Sequence, residues 1–175
     1  MKKVTDVLEE SKFISYVDNV FVKIHLAITF NELETIDHFV NDSVYNKLKE
    51  KLDKLNQQNL IQMHDMINVK NSHIIDFEET NDKYIVKVNL TSRYVDYCID
   101  KNSKETVSGN DIDRIEKTNY LTFEKNKDTT IQPEARKCPS CGSNMDVNNN
   151  GKCEFCGTIY NLEDYEWILT EMEVI

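Results

Sequence analysis

Cys138-Pro-Ser-Cys141-Gly142 and Cys153-Glu-Phe-Cys156-Gly157 are two copies of one short pattern, joined by a connector that contains the run Asn148 to Gly151. Two thiols with two residues between them turn to one side of a tight loop. A glycine that follows can take the positive φ that aims backbone N–H groups at sulfur. A pair of such turns supplies the four thiolates of a tetrahedral zinc site, with Zn–S distances of about 2.3 Å. Four protein ligands leave the ion no open position for water, so Cys138, Cys141, Cys153 and Cys156 are expected to hold one structural zinc (Zn) rather than a catalytic one. The rival chemistry is a redox dithiol, but that motif opens a helix after a strand, and two matched glycine-ended turns do not resemble it. From Cys138 onward one basic residue, Lys152, stands against seven acidic ones. Ribbons that hold nucleic acid present Lys and Arg, so this one reads as a folding clip or a protein-docking surface. Cys98 stands alone on a predicted strand and reads as a small buried hydrophobe.

Ahead of the ribbon the apolar pattern changes period once. From Val4 to about Phe30, residues such as Val7, Leu8, Ile14, Val17, Phe21, Ile24 and Ile28 recur at three- and four-residue steps, which predicts one long amphipathic helix. Asn31, with Glu34 three residues on, predicts the cap of a second helix whose buried face is Leu33, Ile36, Phe39 and Val40. Asn41 or Asp42 is expected to cap a third, with Val44, Tyr45, Leu48, Leu52 and Leu55 inward. Tyr84, Val86, Val88 and Leu90 alternate with Lys87, Asn89 and Thr91, which predicts a strand. Strands are also expected over Met66 to Phe77 and Ile115 to Lys125, with a hairpin turn at Glu78 to Lys83 and a weak short strand within Lys101 to Asp113. Helices followed by an antiparallel meander are an α+β layout. The domain reading is a body over residues 1–126, a polar linker over 127–137 that contains Pro133, and the zinc ribbon over 138–175, ending in a strand or helix that packs Tyr165, Trp167, Leu169 and Met172.

Composition narrows the partners. The 175 residues carry a formal net charge of −10, which repels phosphate backbones and argues against nucleic acid. With only 4 glycines, no glycine-rich phosphate loop can be written. The longest strongly apolar stretch, Ile24 to Phe30, is far shorter than the roughly 20 residues of a membrane span, and Asp6, Glu9 and Glu10 interrupt a signal-peptide reading. A soluble, cytoplasmic protein is expected.

Several short motifs fit one family. Phe21-x-x-Ile24-x-x-Ala27, Leu33-Glu34 and Asn41-Asp42-Ser-Val-Tyr45-x-x-Leu48 are followed by a sheet with Asp96-Tyr97, Asp100, Gly109 and Thr122-Phe123. Over about Val4 to Lys125 the chain resembles the Tim-forty-four-like domain, and with the CPxCG and CxxCG pairs it is similar to bacterial proteins in which that domain precedes a zinc ribbon. The resemblance implies a cone-shaped fold of the nuclear transport factor two-like superfamily, three N-terminal helices on a curved antiparallel sheet, with an apolar pocket between them. In the mitochondrial relatives the domain sits at the inner membrane and holds partner proteins. This chain has Leu121 where the family commonly carries Trp and Lys125 where Arg is usual, and a long chaperone-recruiting N-terminal segment is not expected. The import-motor role is therefore not carried over, only the fold and a scaffold or peripheral-membrane character.

The same superfamily hosts small enzymes with an Asp base and a Tyr donor, which singles out Asp96, Tyr94, Tyr97, Tyr16, His25 and His73. Rings on amphipathic elements more often bury their bodies and turn their polar tips outward, and fold analogy is a weak warrant for catalysis. The expectation is a non-enzymatic, zinc-containing adaptor that docks a protein partner. Its alternative is an apolar ligand, a lipid or acyl chain, in the pocket. Lys47, Lys49, Lys51 and Lys54 on the third helix offer a local basic patch that a membrane could meet.

Overall fold

The computed structural model describes residues 3–127, 136–137, 141, 143–145, 155–157 and 167–174. Two α-helices, α1 (Glu10–Phe30) and α2 (Asp42–Gln57), precede three long strands, β1 (Leu60–Glu79), β2 (Lys83–Asp100) and β3 (Thr106–Asn126). Two short strands follow, β4 (Arg136–Lys137) and β5 (Asn144–Met145), and the chain ends in β6 (Ile168–Val174). The main sheet is antiparallel in the order β1-β2-β3-β6, and β4 pairs with β5 separately.

The helical periodicity holds, with different boundaries. A 3-10 turn at Val4–Asp6 precedes α1, and the second predicted helix is a 3-10 helix, Leu33–Phe39, with Val40 already extended. Asn31 does not cap it. Its backbone lies in the left-handed region at φ 58°, ψ 43°, and its N–H closes on the Ala27 and Ile28 carbonyls, so it ends α1. Asparagine tolerates that region better than other side chains, which is why an N-cap residue by type serves here as a C-cap. The cap on α2 is as expected: Asn41 Oδ1 accepts from the Val44 N–H at 3.0 Å.

By length and composition α1 is apolar enough to cross a membrane, which counting only Ile24 to Phe30 misses. In the fold its apolar face is spent on the sheet. Phe13, Val17, Val20, Phe21 and Ile24 pack on Val86, Val88 and Leu90 of β2, Leu121 and Phe123 of β3 and Leu169 of β6, all buried. The alternation from Tyr84 to Leu90 puts Val86, Val88 and Leu90 inward and leaves Lys87 outside.

The strands run further than the sequence pattern indicates. β1 begins at Leu60 rather than Met66, and β3 begins at Thr106, absorbing the short strand expected before Asp113. Bulges hide this length. Register shifts fall at Asp65/Asn68, Val69/Asn71 and Ile74/Asp76 in β1, with Met66 at φ 51°, and each resets the two-residue period while bending the strand. Gly109 sits opposite Tyr97 at φ 80°, where an added Cβ would come 2.5 Å from the Asp96 carbonyl oxygen, so only glycine fits.

The C-terminal strand or helix is a strand, and it belongs to the main sheet. β6 pairs with β3 over Asn119 to Glu124, and the Leu169 carbonyl accepts from the Asn41 N–H at 3.0 Å. Tyr16 donates its hydroxyl to the Trp167 carbonyl at 2.6 Å, and Phe13 meets the Trp167 ring edge-on at 5.1 Å. The chain leaves the body after β3 and returns to it with β6, so the cysteine segment is an excursion between two strands of one sheet.

Candidate functional site

α1, α2 and the inner face of the sheet enclose a cavity of about 250 Å³, and residues from all of them point into it. α1 contributes Ile24, His25 and Ile28 at helical spacing, and α2 contributes Val44, Lys47, Leu48 and Lys51. Gln62 and His64 come from β1, Tyr94 and Asp96 from β2, Lys117 and Asn119 from β3, and Met172 and Val174 from β6, in i, i+2 pairs that share one sheet face. The walls are apolar and one side is polar.

Asp96 organises the polar side. Its Oδ1 accepts from Gln62 Nε2 and lies 3.6 Å from His64 Nε2, and its Oδ2 accepts from Lys117 Nζ at 3.0 Å. Burial works against the Lys117 charge, but the bond to Asp96 and the nearby Tyr94 outweigh it and hold the ammonium above its usual range. Burial holds the Tyr94 hydroxyl above its usual range. His25 Nδ1 donates to the Phe21 carbonyl at 2.9 Å. Burial, the adjacent His64 and then Lys51 push His25 down to about 4 despite that bond. His64, whose ring centroid is 4.8 Å from that of His25, is lowered by burial, although Asp96 pulls the other way. Both rings are therefore neutral near pH 7.

Of the pocket residues singled out from the sequence, Asp96, Tyr94 and His25 meet here. The others do not. Tyr97 donates to Asp65 at 2.6 Å, a bond that pushes its hydroxyl up to about 12. Tyr16 lies in the core beside Phe39 and Phe123, and His73 is exposed on β1. Sequence reasoning missed His64, Gln62, Lys117 and Asn119. The first two precede the strand start drawn at Met66. Lys117 and Asn119 share the two-residue phase of Leu121 and Phe123, a signal that was present.

Of the four expected zinc ligands, Cys141 and Cys156 are described, and both are exposed. Cys138 and Cys153 lie outside the described residues. Among the described residues no three His, Cys, Asp or Glu side chains converge as a metal cluster. What is described fits a thiolate site: β4 and β5 pair on either side of residues 138–143, and Gly157 follows Cys156 at φ 74°. Cys98 is half-buried, its thiol donating to Gln62 Oε1 at 3.2 Å.

The sequence profile of the Tim44-like domain matches residues 1–134. Among solved structures the chain is similar to the intermembrane space region of the chloroplast protein ARC6, with a TM-score of 0.52 and 10% identity, over 96% of this chain and 97% of that one. At that identity the likeness concerns the fold alone. No curated protein matches.

Proposed function

The chain belongs to the Tim44-like domain family, and from that membership we propose that it works as a non-enzymatic adaptor that docks an extended segment of a protein partner on the first half of β3. One observation carries this reading. Thr106 to Arg114 are exposed on both strand faces, with Val107 at 53% and Ile112 at 79%. β6 covers β3 only from Asn119 to Glu124, so the outer edge before Asn119 has no strand beside it among the described residues. A strand that buries so little of its own chain, with an open edge and two exposed aliphatic side chains, suits a partner strand added along it. Residues 111–114 bulge out opposite Val95, where Tyr94 pairs with Ile115 and Asp96 with Asn110, and Asn110 Oδ1 accepts from the Ile112 and Asp113 N–H groups, so the edge a partner strand can extend is Thr106 to Asn110, with the Ile112 side chain beside it.

The cavity supports binding over turnover, because both Asp96 oxygens are engaged within the fold. In this reading Cys138, Cys141, Cys153 and Cys156 hold one structural zinc. The helix-on-sheet layout supports a place in the nuclear transport factor two-like superfamily. The working compartment is the cytoplasm, and the lysine face of α2 is the surface that would touch a membrane.

A photo-crosslinking residue at position 112, in otherwise intact protein in its host cell, should give one discrete protein adduct. The same residue at the exposed α2 position 50 should not, and Val107→Asp should abolish the adduct. Equal labelling from both positions, or none from 112, would overturn the docking assignment.

A further inference from the structure

The cavity contains a group that the fold leaves unsatisfied. Asn119 is 1% exposed and lines the cavity, and neither its Nδ2 nor its Oδ1 has a hydrogen-bond partner. A buried amide left in that state has lost its water without gaining a partner, so an occupant that brings both a donor and an acceptor is favoured there. The opening has the opposite character. Lys47 and Lys51 are exposed on α2, line the cavity, and make no ion pair with a described residue. Asp96 is the lone carboxylate among the lining residues, and Lys117 already neutralises it. In a chain of net charge −10, this is a local excess of positive charge at the mouth of an apolar-walled hole.

Size limits the occupant. At about 250 Å³ the cavity falls just below the roughly 300–1,000 Å³ usual for drug-sized ligands, which leaves room for one ring or a short branched chain. A long acyl chain does not fit.

We propose that the cavity binds a small organic monocarboxylate whose apolar body ends in a hydroxyl or similar donor–acceptor group. The carboxylate lies between Lys47 and Lys51, the body lies against Ile24, Ile28, Leu48 and Met172, and the far polar group pairs with the Asn119 amide. This is independent of the docking edge on β3, which lies outside the cavity lining.

The test is calorimetric titration of the full chain with 4-hydroxybenzoate, which has one carboxylate, one ring and one distal hydroxyl. Binding should be saturable. It should be about tenfold weaker for 4-hydroxybenzamide, which lacks the charge, and about tenfold weaker for benzoate, which lacks the hydroxyl. The double variant Lys47→Gln, Lys51→Gln alters only exposed positions and should erase the preference for acid over amide. Asn119→Leu should erase the preference for the hydroxyl, with far-ultraviolet circular dichroism checking that it folds. Equal binding of acid and amide, binding unchanged in the double lysine variant, saturable binding of dodecanoate without 4-hydroxybenzoate, or no heat from any of them would each overturn the proposal.

Discussion

His25 shows how strongly one side chain is governed by its surroundings. Its ring is enclosed by Phe21 on its own helix, His64 from β1 and Tyr94 from β2, with the charges of Lys51 and Asp96 in reach. In the unfolded chain the imidazole titrates near 6.5, and in the fold it is pushed down to about 4. The unfolded state therefore takes the proton first. Stability is complete above the unfolded value and is lost as pH falls from about 6.5 to about 4, by roughly 3 kcal/mol for this ring alone. The lowered His64 adds to the loss in the same direction. Urea midpoints measured from about pH 7 to about pH 4 should fall steeply in the native chain and less steeply in His25→Phe. Parallel curves would show that another group sets the acid limit.

Among the elements, β6 ties the end of the chain into the core through Leu169. Leu169 is fully buried against the sheet and α1, whereas Val174, five residues on in the same strand, is 60% exposed. Leu169→Ala should cost about 2–5 kcal/mol, and Val174→Ala should stay within about 0.5 kcal/mol of wild type. Trp167 is the single tryptophan of the chain and packs on Phe13, so its fluorescence reports the unfolding of this corner directly. A small loss at Leu169 would mean that β6 is an accessory edge rather than part of the core. Element types were readable from periodicity, since Val86, Val88 and Leu90 alternate cleanly and α1 repeats as a helix should. Their lengths were not. A bulge at Met66 resets the phase of β1 and hides its first residues, and the exposed half of β3 has no buried face to impose a pattern.

For the whole molecule, the return of the chain to the body makes the cysteine segment an insertion rather than a tail. Serine at Cys141 or Cys156 should abolish zinc binding, read by native mass spectrometry of protein purified without chelator. The helicity and the Trp167 signal of the body should persist, because neither cysteine belongs to the buried core. Truncation after Lys137 should instead unfold the body, because it removes Trp167 and Leu169 along with the cysteine segment. If the serine variants also lost the body's helicity, insertion and body would be one cooperative unit.

The sequence by itself determined what depends on local order: helices before strands, the Asn41 cap, the core face of β2 and the two cysteine pairs with their glycines. These follow from neighbours within a few residues, where periodicity and turn chemistry act. Tertiary structure alone decided which distant groups meet. Asp96 finds Gln62, His64 and Lys117 only because β1, β2 and β3 lie side by side, in a register set by bulges that no local pattern reveals. The cavity, its unpaired Asn119 and the place of β6 beside β3 arise in the same way, from packing between segments far apart in the chain.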